Sequence, residues 1–504
     1  MQSGWAGGYE AETPYVPTFS TGQSPAHLAL ACAVAGVHWA PDPEALTVVD
    51  LGCGRGASIL ALAAANPGWQ AIGLDYSPAH VAEAREIAAE AGLANARFIE
   101  ADLAGLDEAA AAALLPEADV ITLHGVWTWV SDPVRAGILA VLRSRLKPGG
   151  LVMVGYNALP GWSGDLALGR LMQSVAGALH GPADARAAMA FAAAQALHAA
   201  GAVAFRNSMV LEDFAASGNN ASFGWARYLA HEFLPSAWRP AFPTEVAAAM
   251  AGAKLEFVGQ ARLWRQFPEL WLTPPQREAL AALPPGTDRE LAQDMFGARQ
   301  PLREDIFIRG RRPAAPEALG GLHLALDRRL PDGAVRIDTG ISKATLPQAV
   351  AGPLLAALAE RPRRIEALAE IAGDCGLTQR ELAVFLVGGH AALPVWRETV
   401  GGAALARARR FNMVAMQRWA GELQEASFPI GLAVPRLGGP LSLSAEEASV
   451  AMLLAELGKT SPDPAAIATA LRAAGLPLEP EQADMLVREV LGTSLPGWRA
   501  MGLV

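Results

Sequence analysis

From Leu46 onward the chain alternates short runs of β-branched and aliphatic residues with longer runs whose apolar positions recur at helical spacing. Thr47-Val48-Val49-Asp50 reads as a buried strand. Past a glycine-rich turn, Ala57 to Asn66 reads as a helix stopped by Pro67, whose ring and missing N–H cannot continue one. Gln70 to Asp75 is the second strand. Ser77-Pro78 then supplies an N-cap and an N1 proline to a helix that carries Val81, Ala84, Ile87 and Ala88 on one face and ends at Gly92. Ala96 to Asp102 and Ala118 to His124 are the third and fourth strands. The helix Pro133 to Leu146 turns through Lys147-Pro148-Gly149-Gly150 into a fifth, Leu151 to Gly155. Strands separated by helices at this spacing pair in parallel through right-handed crossovers, which predicts an α/β, doubly wound, Rossmann-like sheet.

The alternation stops after Trp162, and an Ala-rich helical stretch follows. It resumes with a helix, Thr244 to Ala251, and two strands, Leu255 to Gly259 and Asp305 to Arg309. These two are expected to close the same sheet, which divides the chain into a core at 1–162, a helical insert or lid at 163–240 and a segment completing the sheet at 241–313. Pro353 to Leu393 and Ser444 to Val490 hold short amphipathic helices, read as a mostly helical, winged-helix-like C-terminal half with units at 316–425 and 426–504.

A length of 504 residues suggests about three domains, and 52 % hydrophobic with 18 % charged residues can bury several cores. The formal charge of −10 disfavours nucleic acid, and the C-terminal half, with Lys343 and Lys459 as its only lysines, lacks a positive stripe. Cys32, Cys53 and Cys375 have no metal-ligand spacing, so no metal site and a reducing cytoplasm are expected. No export signal or membrane span is legible, and the Ala- and Leu-rich insert surface suits a possible homodimer contact.

The chemistry concentrates at Asp50-Leu51-Gly52-Cys53-Gly54-Arg55-Gly56, between a strand and a helix, where glycines let a ligand approach the backbone and a helix N-terminus faces it. A nicotinamide fingerprint would want glycine at position 57, which is Ala57, and that weakens the dinucleotide reading. Asp75 closes the second strand 19 residues after Gly56, placed to accept both hydroxyls of a ribose. Asp102 is placed to accept an adenine amino hydrogen.

These residues, with Ala101-Asp102 and the Lys147-Pro148-Gly149-Gly150 turn, resemble the class I methyltransferases that use S-adenosylmethionine. The resemblance implies that the Gly52, Cys53, Gly54 and Gly56 turn with Asp50 holds the methionine end, Asp75 with the adjacent Tyr76 the ribose, and Asp102 with Leu103 the adenine. Tyr9 to Tyr15, His124 to Val130, Gly155 to Trp162, Tyr228 to Leu234 and Phe257-Val258-Gly259 are similar to a bacterial subfamily with a methyltransferase regulatory domain, which includes the rickettsial outer-membrane-protein lysine methyltransferases. That implies a protein lysine ε-amine as acceptor. A small-molecule N- or O-methyltransferase and a cofactor-binding docking module without turnover are the alternatives.

Methyl transfer to an amine needs the amine neutral, against a pKa near ~10.4 in water, and positioned in line with the S–CH₃ bond. Side chains suited to orienting it cluster at the ends of strands four and five: His124, Trp127, Trp129, Tyr156, Asn157 and Trp162. His124 suits a cofactor hydrogen bond and proton handling equally. Tyr15 with the acidic segment before it reads as a flap over the cofactor or as a tail. For His231-Glu232 a helix contact is expected, since no second histidine follows four residues on.

Overall fold

The computed structural model describes residues 15–504 apart from 217–222, 285, 298–300, 329, 331, 426–427, 459–462 and 474–477. Tyr9 to Pro14 and Lys459 lie outside the described residues. Seven strands form one sheet: β1 Thr47–Leu51, β2 Gln70–Asp75, β3 Ala96–Glu100, β4 Ala118–His124, β5 Leu146–Asn157, β6 Glu256–Gln260 and β7 Leu302–Ile308. Their order is β3-β2-β1-β4-β5-β7-β6. The first five pair in parallel, while β7 runs antiparallel to both β5 and β6. The fold is mixed α/β with a Rossmann-like sheet, and the two strands past residue 250 belong to it.

Five helices accompany the parallel strands: α1 Pro25–Val34, α2 Ala57–Ala65, α3 Pro78–Glu90, α4 Glu108–Leu114 and α5 Asp132–Arg145. Sequence periodicity missed α1 and α4. Helix α1 buries seven of its ten residues and so shows little polar-apolar period. Helix α4 is a short alanine run started by Asp107, whose carboxylate accepts from Ala110 N at 2.7 Å. Strand β5 starts at Leu146, before the expected turn. The pairing jumps from Ala118↔Leu146 to Val120↔Leu151, so Lys147 to Gly150 form a bulge within the strand.

Asn157 ends β5, and the chain then runs into helices Leu166–Gly177, Ala183–Ala199, Met209–Ala216 and Phe223–Phe233 before returning through Pro243–Gly252 to β6. These insert helices have their own core, in which Trp162 meets Phe233 and Trp238 edge-on and Phe191 meets Phe214. Buried Asp165 ties the insert together by accepting from Ser208 Oγ and Met209 N.

In the C-terminal half, His323–Leu326 is flanked by Arg363–Arg364 and Ala392–Val395 in a small antiparallel sheet beside helices Gln348–Glu360, Ile365–Ala372 and Gln379–Gly388. A 24-residue helix, Gly402–Glu425, follows, then the hairpin Ile430–Val434/Gly439–Leu443 and further helices. Trp419 of the long helix is buried and donates to Glu83 of α3 at 3.0 Å. Arg397 binds Glu44 at 3.0 Å. One apolar core runs from α2 into this half, through Leu62, Trp69, Phe411 and Trp498.

The β5–β7 seam carries a buried polar cluster. Tyr156 donates to Asp305 at 2.7 Å, and Arg303 binds Asp305 and Asp294. Removing the phenolic hydroxyl leaves a buried carboxylate one donor short. Tyr156→Phe should therefore destabilise the protein by about 1–3 kcal/mol, seen as a lower denaturant midpoint with an unchanged far-UV spectrum.

Candidate functional site

A cavity opens at the C-terminal ends of β1, β2 and β4, where an open parallel sheet exposes strand-end groups and helix N-termini. Its floor is the turn between β1 and α2. Gly52 and Gly54 hold φ of 76° and 54°, left-handed values that suit glycine. The N–H groups of Gly52 and Cys53 both reach Leu74 O at 2.8 Å, pinning the turn to β2. A Cβ on Gly54 would meet nothing within 4 Å, so the turn leaves room there for a ligand. Cys53 lines the cavity with its Sγ tucked beneath Gly73. Gly56 does not line it. A Cβ there would strike Phe98 and Ala84 at 2.7 and 2.9 Å, so this glycine serves helix–sheet packing, a correction to the sequence assignment.

Asp50 is 4 % exposed and lines the cavity. Thr122 Oγ1 at 2.7 Å and Gln23 Nε2 at 3.1 Å both donate to its Oδ1, which leaves Oδ2 for a ligand donor. Burial pushes its carboxyl up to about 6 against these two hydrogen bonds, with Asp75 adding to the rise. Asp75 takes Ser77 N and His80 Nδ1 on Oδ1 and Gly54 N on Oδ2. Its capacity for a diol is thus concentrated on Oδ2, not shared between both oxygens as its position in the sequence suggested. Tyr76, Asp102 and Leu103 line the far end, and Asp102 also caps its own turn through Ala104 N at 2.8 Å.

Of the side chains expected to orient the acceptor, His124 and Trp129 line the cavity, joined there by Tyr15. Trp127 is buried beneath Arg135, which donates to its carbonyl at 3.0 and 2.9 Å. Tyr156 shares a face of β5 with Val152 and Val154, inside the core, because strand side chains alternate. Trp162 belongs to the insert core, with its indole donating to Pro301 O. Asn157 is buried at the junction, and its Nδ2 donates to Glu232 at 2.6 Å. None of these four lines the cavity. Trp127, Tyr156, Asn157 and Trp162 are therefore corrected to supporting positions.

Two carboxylates from beyond residue 230 stand close behind the cavity wall. Glu232 accepts from Asn157, from Trp238 Nε1 at 2.8 Å and from Tyr228, and its backbone carbonyl accepts from Trp129 Nε1 at 3.0 Å. Burial pushes it up to about 7 despite those donors. The Tyr15 ring meets His231 edge-on at 5.2 Å. Glu304 on β7 approaches His124 Nδ1 at 3.5 Å and accepts from Ser20 Oγ. The sequence held no signal for Glu304, because its approach depends on a strand pairing across about 150 residues. Among the described residues no cluster of three or more ligands fits a metal ion, and no helix is long and apolar enough to cross a membrane.

The sequence matches the family described as Methyltransferase domain over residues 42–180 and that described as Predicted methyltransferase regulatory domain over residues 226–309. It is 28 % identical over 454 residues to an uncharacterized protein of Synechocystis sp., covering 88 % of each chain. Trans-aconitate 2-methyltransferase of Methylobacterium nodulans is 37 % identical over 107 residues, which span 21 % of this chain and 36 % of that enzyme. The structure of PKMT2 from Rickettsia typhi in complex with AdoHcy superposes with a TM-score of 0.67 at 19 % identity, over 97 % of this chain and 99 % of that one. The two chains share one fold from end to end. Residues 42–180 thus match a methyltransferase domain, and residues 226–309 match the regulatory domain that follows it, on a fold shared with PKMT2.

Proposed function

We propose that the protein transfers methyl groups from S-adenosylmethionine to lysine ε-amines of a protein substrate. The cavity residues suit that cofactor. Asp50 Oδ2 is positioned for an ammonium, the open space over Gly54 for the chain that follows it, Asp75 Oδ2 for a ribose hydroxyl, and Asp102 with Leu103 for a base. When bound, the cofactor supplies an electrophilic methyl group on a sulfonium. The residues themselves orient the two reactants and exclude water.

The observation that carries the amine acceptor is the aromatic wall of the cavity and the regulatory-segment carboxyl that backs it. Tyr15 and Trp129 face the space, and the Glu232 carboxyl lies behind them among Tyr228, Trp238 and Asn157. Aromatic faces favour a cation over a neutral or anionic acceptor, and the Glu232 carboxyl behind them adds to that preference once it ionises. The end-to-end likeness to PKMT2 supports the same reading. The likeness to trans-aconitate 2-methyltransferase favours a small-molecule acceptor instead, but it is limited to 21 % of the chain. Incubating the protein with methyl-labelled S-adenosylmethionine and separate proteome and metabolite fractions distinguishes the two. Label on lysines of a protein band is expected, and label confined to metabolites would remove the lysine reading.

Asp50 predicts a proton-linked cofactor affinity. A bound ammonium draws the carboxyl below its free value of about 6, so binding releases protons and weakens as pH falls through that value. Titration of S-adenosylhomocysteine in buffers of different ionisation enthalpy should show the release. Asp50→Asn should abolish it and weaken binding by about 1–3 kcal/mol.

Glu232 predicts a stability effect of defined sign. Its folded value of about 7 lies above the ordinary 4.5, so its contribution is fully present below the unfolded value and is lost as pH rises through the folded one. Between about pH 5 and about pH 8, the stability of Glu232→Gln relative to the natural protein should climb by about 1–3 kcal/mol. Melting curves at the two ends check it, and a gap that stays constant would show that Glu232 is not held protonated by burial.

A further inference from the structure

Across β4, β5 and β7, three residues form one row. His124 pairs with Gly155, and Gly155 pairs with Glu304. The row lies on the sheet face that also carries Leu151, Met153 and Ile306, covered by the chain from Ser20 to α1. Residues this far apart across a sheet would normally be separated by the side chain of the central strand. Gly155 has none. A Cβ there would lie 2.5 Å from His124 Nδ1, in the space through which the imidazole and Glu304 approach.

The approach is 3.5 Å between Nδ1 and Oε1, with the Glu304 side chain 11 % and the His124 side chain 28 % exposed. Nδ1 is itself buried, and Glu304 is the acceptor facing it. Because the ring's buried edge carries Nδ1 and the residue lines the cavity, the exposed edge carries Nε2. Ser20 Oγ donates to Glu304 Oε1, and a Cβ on Gly22 would stand 3.0 Å from that oxygen, so the carboxylate has little freedom to swing away. His27 stands nearby, committed to Ala261 O at 2.6 Å.

We infer that Glu304, contributed by the regulatory segment, is a positioning residue that holds the His124 proton on Nδ1 and leaves Nε2 as the proton acceptor for the incoming amine. The inference rests on the proposed amine methylation and adds its proton path. Close approaches of this kind tighten into hydrogen bonds when a site fills, and a carboxylate behind an imidazole fixes its tautomer. The step balances. A substrate ammonium gives one proton to Nε2, and the freed lone pair forms the new N–CH₃ bond. The C–S bonding pair stays on sulfur, which becomes a neutral thioether. The positive charge passes to the methylated nitrogen, and the imidazolium returns its proton to solvent.

The test reads the tautomer directly. In ¹⁵N-histidine-labelled full-length protein, with the His124 signal assigned by its absence in His124→Gln, alkaline buffer should show Nδ1 protonated and Nε2 bare. Glu304→Met, close in size but without an acceptor, should move the proton population toward Nε2. Gly155→Ala, which displaces the ring and leaves the carboxylate in place, should do the same. S-adenosylhomocysteine binding reports whether each variant is folded. With poly-L-lysine as acceptor, Glu304→Met should lose kcat by at least about tenfold, with KM for the cofactor within about threefold, and Glu304→Gln, which keeps an acceptor oxygen, should lose less than Glu304→Met. A Glu304→Met or Gly155→Ala protein that binds S-adenosylhomocysteine and keeps the natural tautomer, or a Glu304→Met protein that keeps its kcat, would overturn the assignment. Natural protein that carries the proton on Nδ1, where the variants lose it, but never labels poly-L-lysine would sink the lysine reading and leave the pairing standing.

Discussion

The site depends most on the antiparallel pairing of β5 with β7, which runs from Leu151↔Ile308 to Asn157↔Leu302. The chain leaves β5 at the end of the sheet where ligands bind, and it can pair β7 there only after passing through every intervening helix. The insert is thereby held over the C-terminal edge of the parallel strands. The same register sets Glu304 opposite Gly155 and Arg303 opposite Tyr156. One face of β7 thus sets a carboxylate behind His124 at the cavity wall, while the other supplies the buried ionic cluster around Asp305 that keeps the seam closed. A carboxylate buried this deeply is tolerable because Arg303 and Tyr156 both address it.

A second constraint gathers the three parts of the molecule around the glycine turn. Arg55 forms a two-pronged bond to Glu83 at 2.7 Å, and its third arm reaches Glu422 at 2.6 Å on the long C-terminal helix. Glu422 also meets Arg227 of the regulatory segment at 3.3 Å. The forked guanidinium suits this role, since its donors lie in fixed directions. Burial works against the Arg55 charge, but the two carboxylates outweigh it and raise its pKa. The C-terminal half is therefore joined to the turn that forms the cavity floor, through charge here and through the shared apolar core beneath it.

The helix–strand alternation from Thr47 to Gly155 apart from α4, the glycine turn and the acids at Asp75 and Asp102 were legible in the sequence. Each depends on neighbours a few residues away: strand period, helix caps, and a backbone that only glycine adopts easily. Even the distant strands Leu255 to Gly259 and Asp305 to Arg309 were legible as strands, because their local pattern is regular, although β7 begins three residues earlier, at Leu302, and includes Glu304. The tertiary structure decided which side of each strand matters. Side-chain parity sent Tyr156 into the core, packing assigned Gly56 to Phe98 and Ala84, and the insert core took Trp162. It also brought Glu232 and Glu304 to the site. No local pattern marks a carboxylate whose partner lies on another strand or helix, since that partner is chosen by pairing register and by burial, which are properties of the whole folded chain.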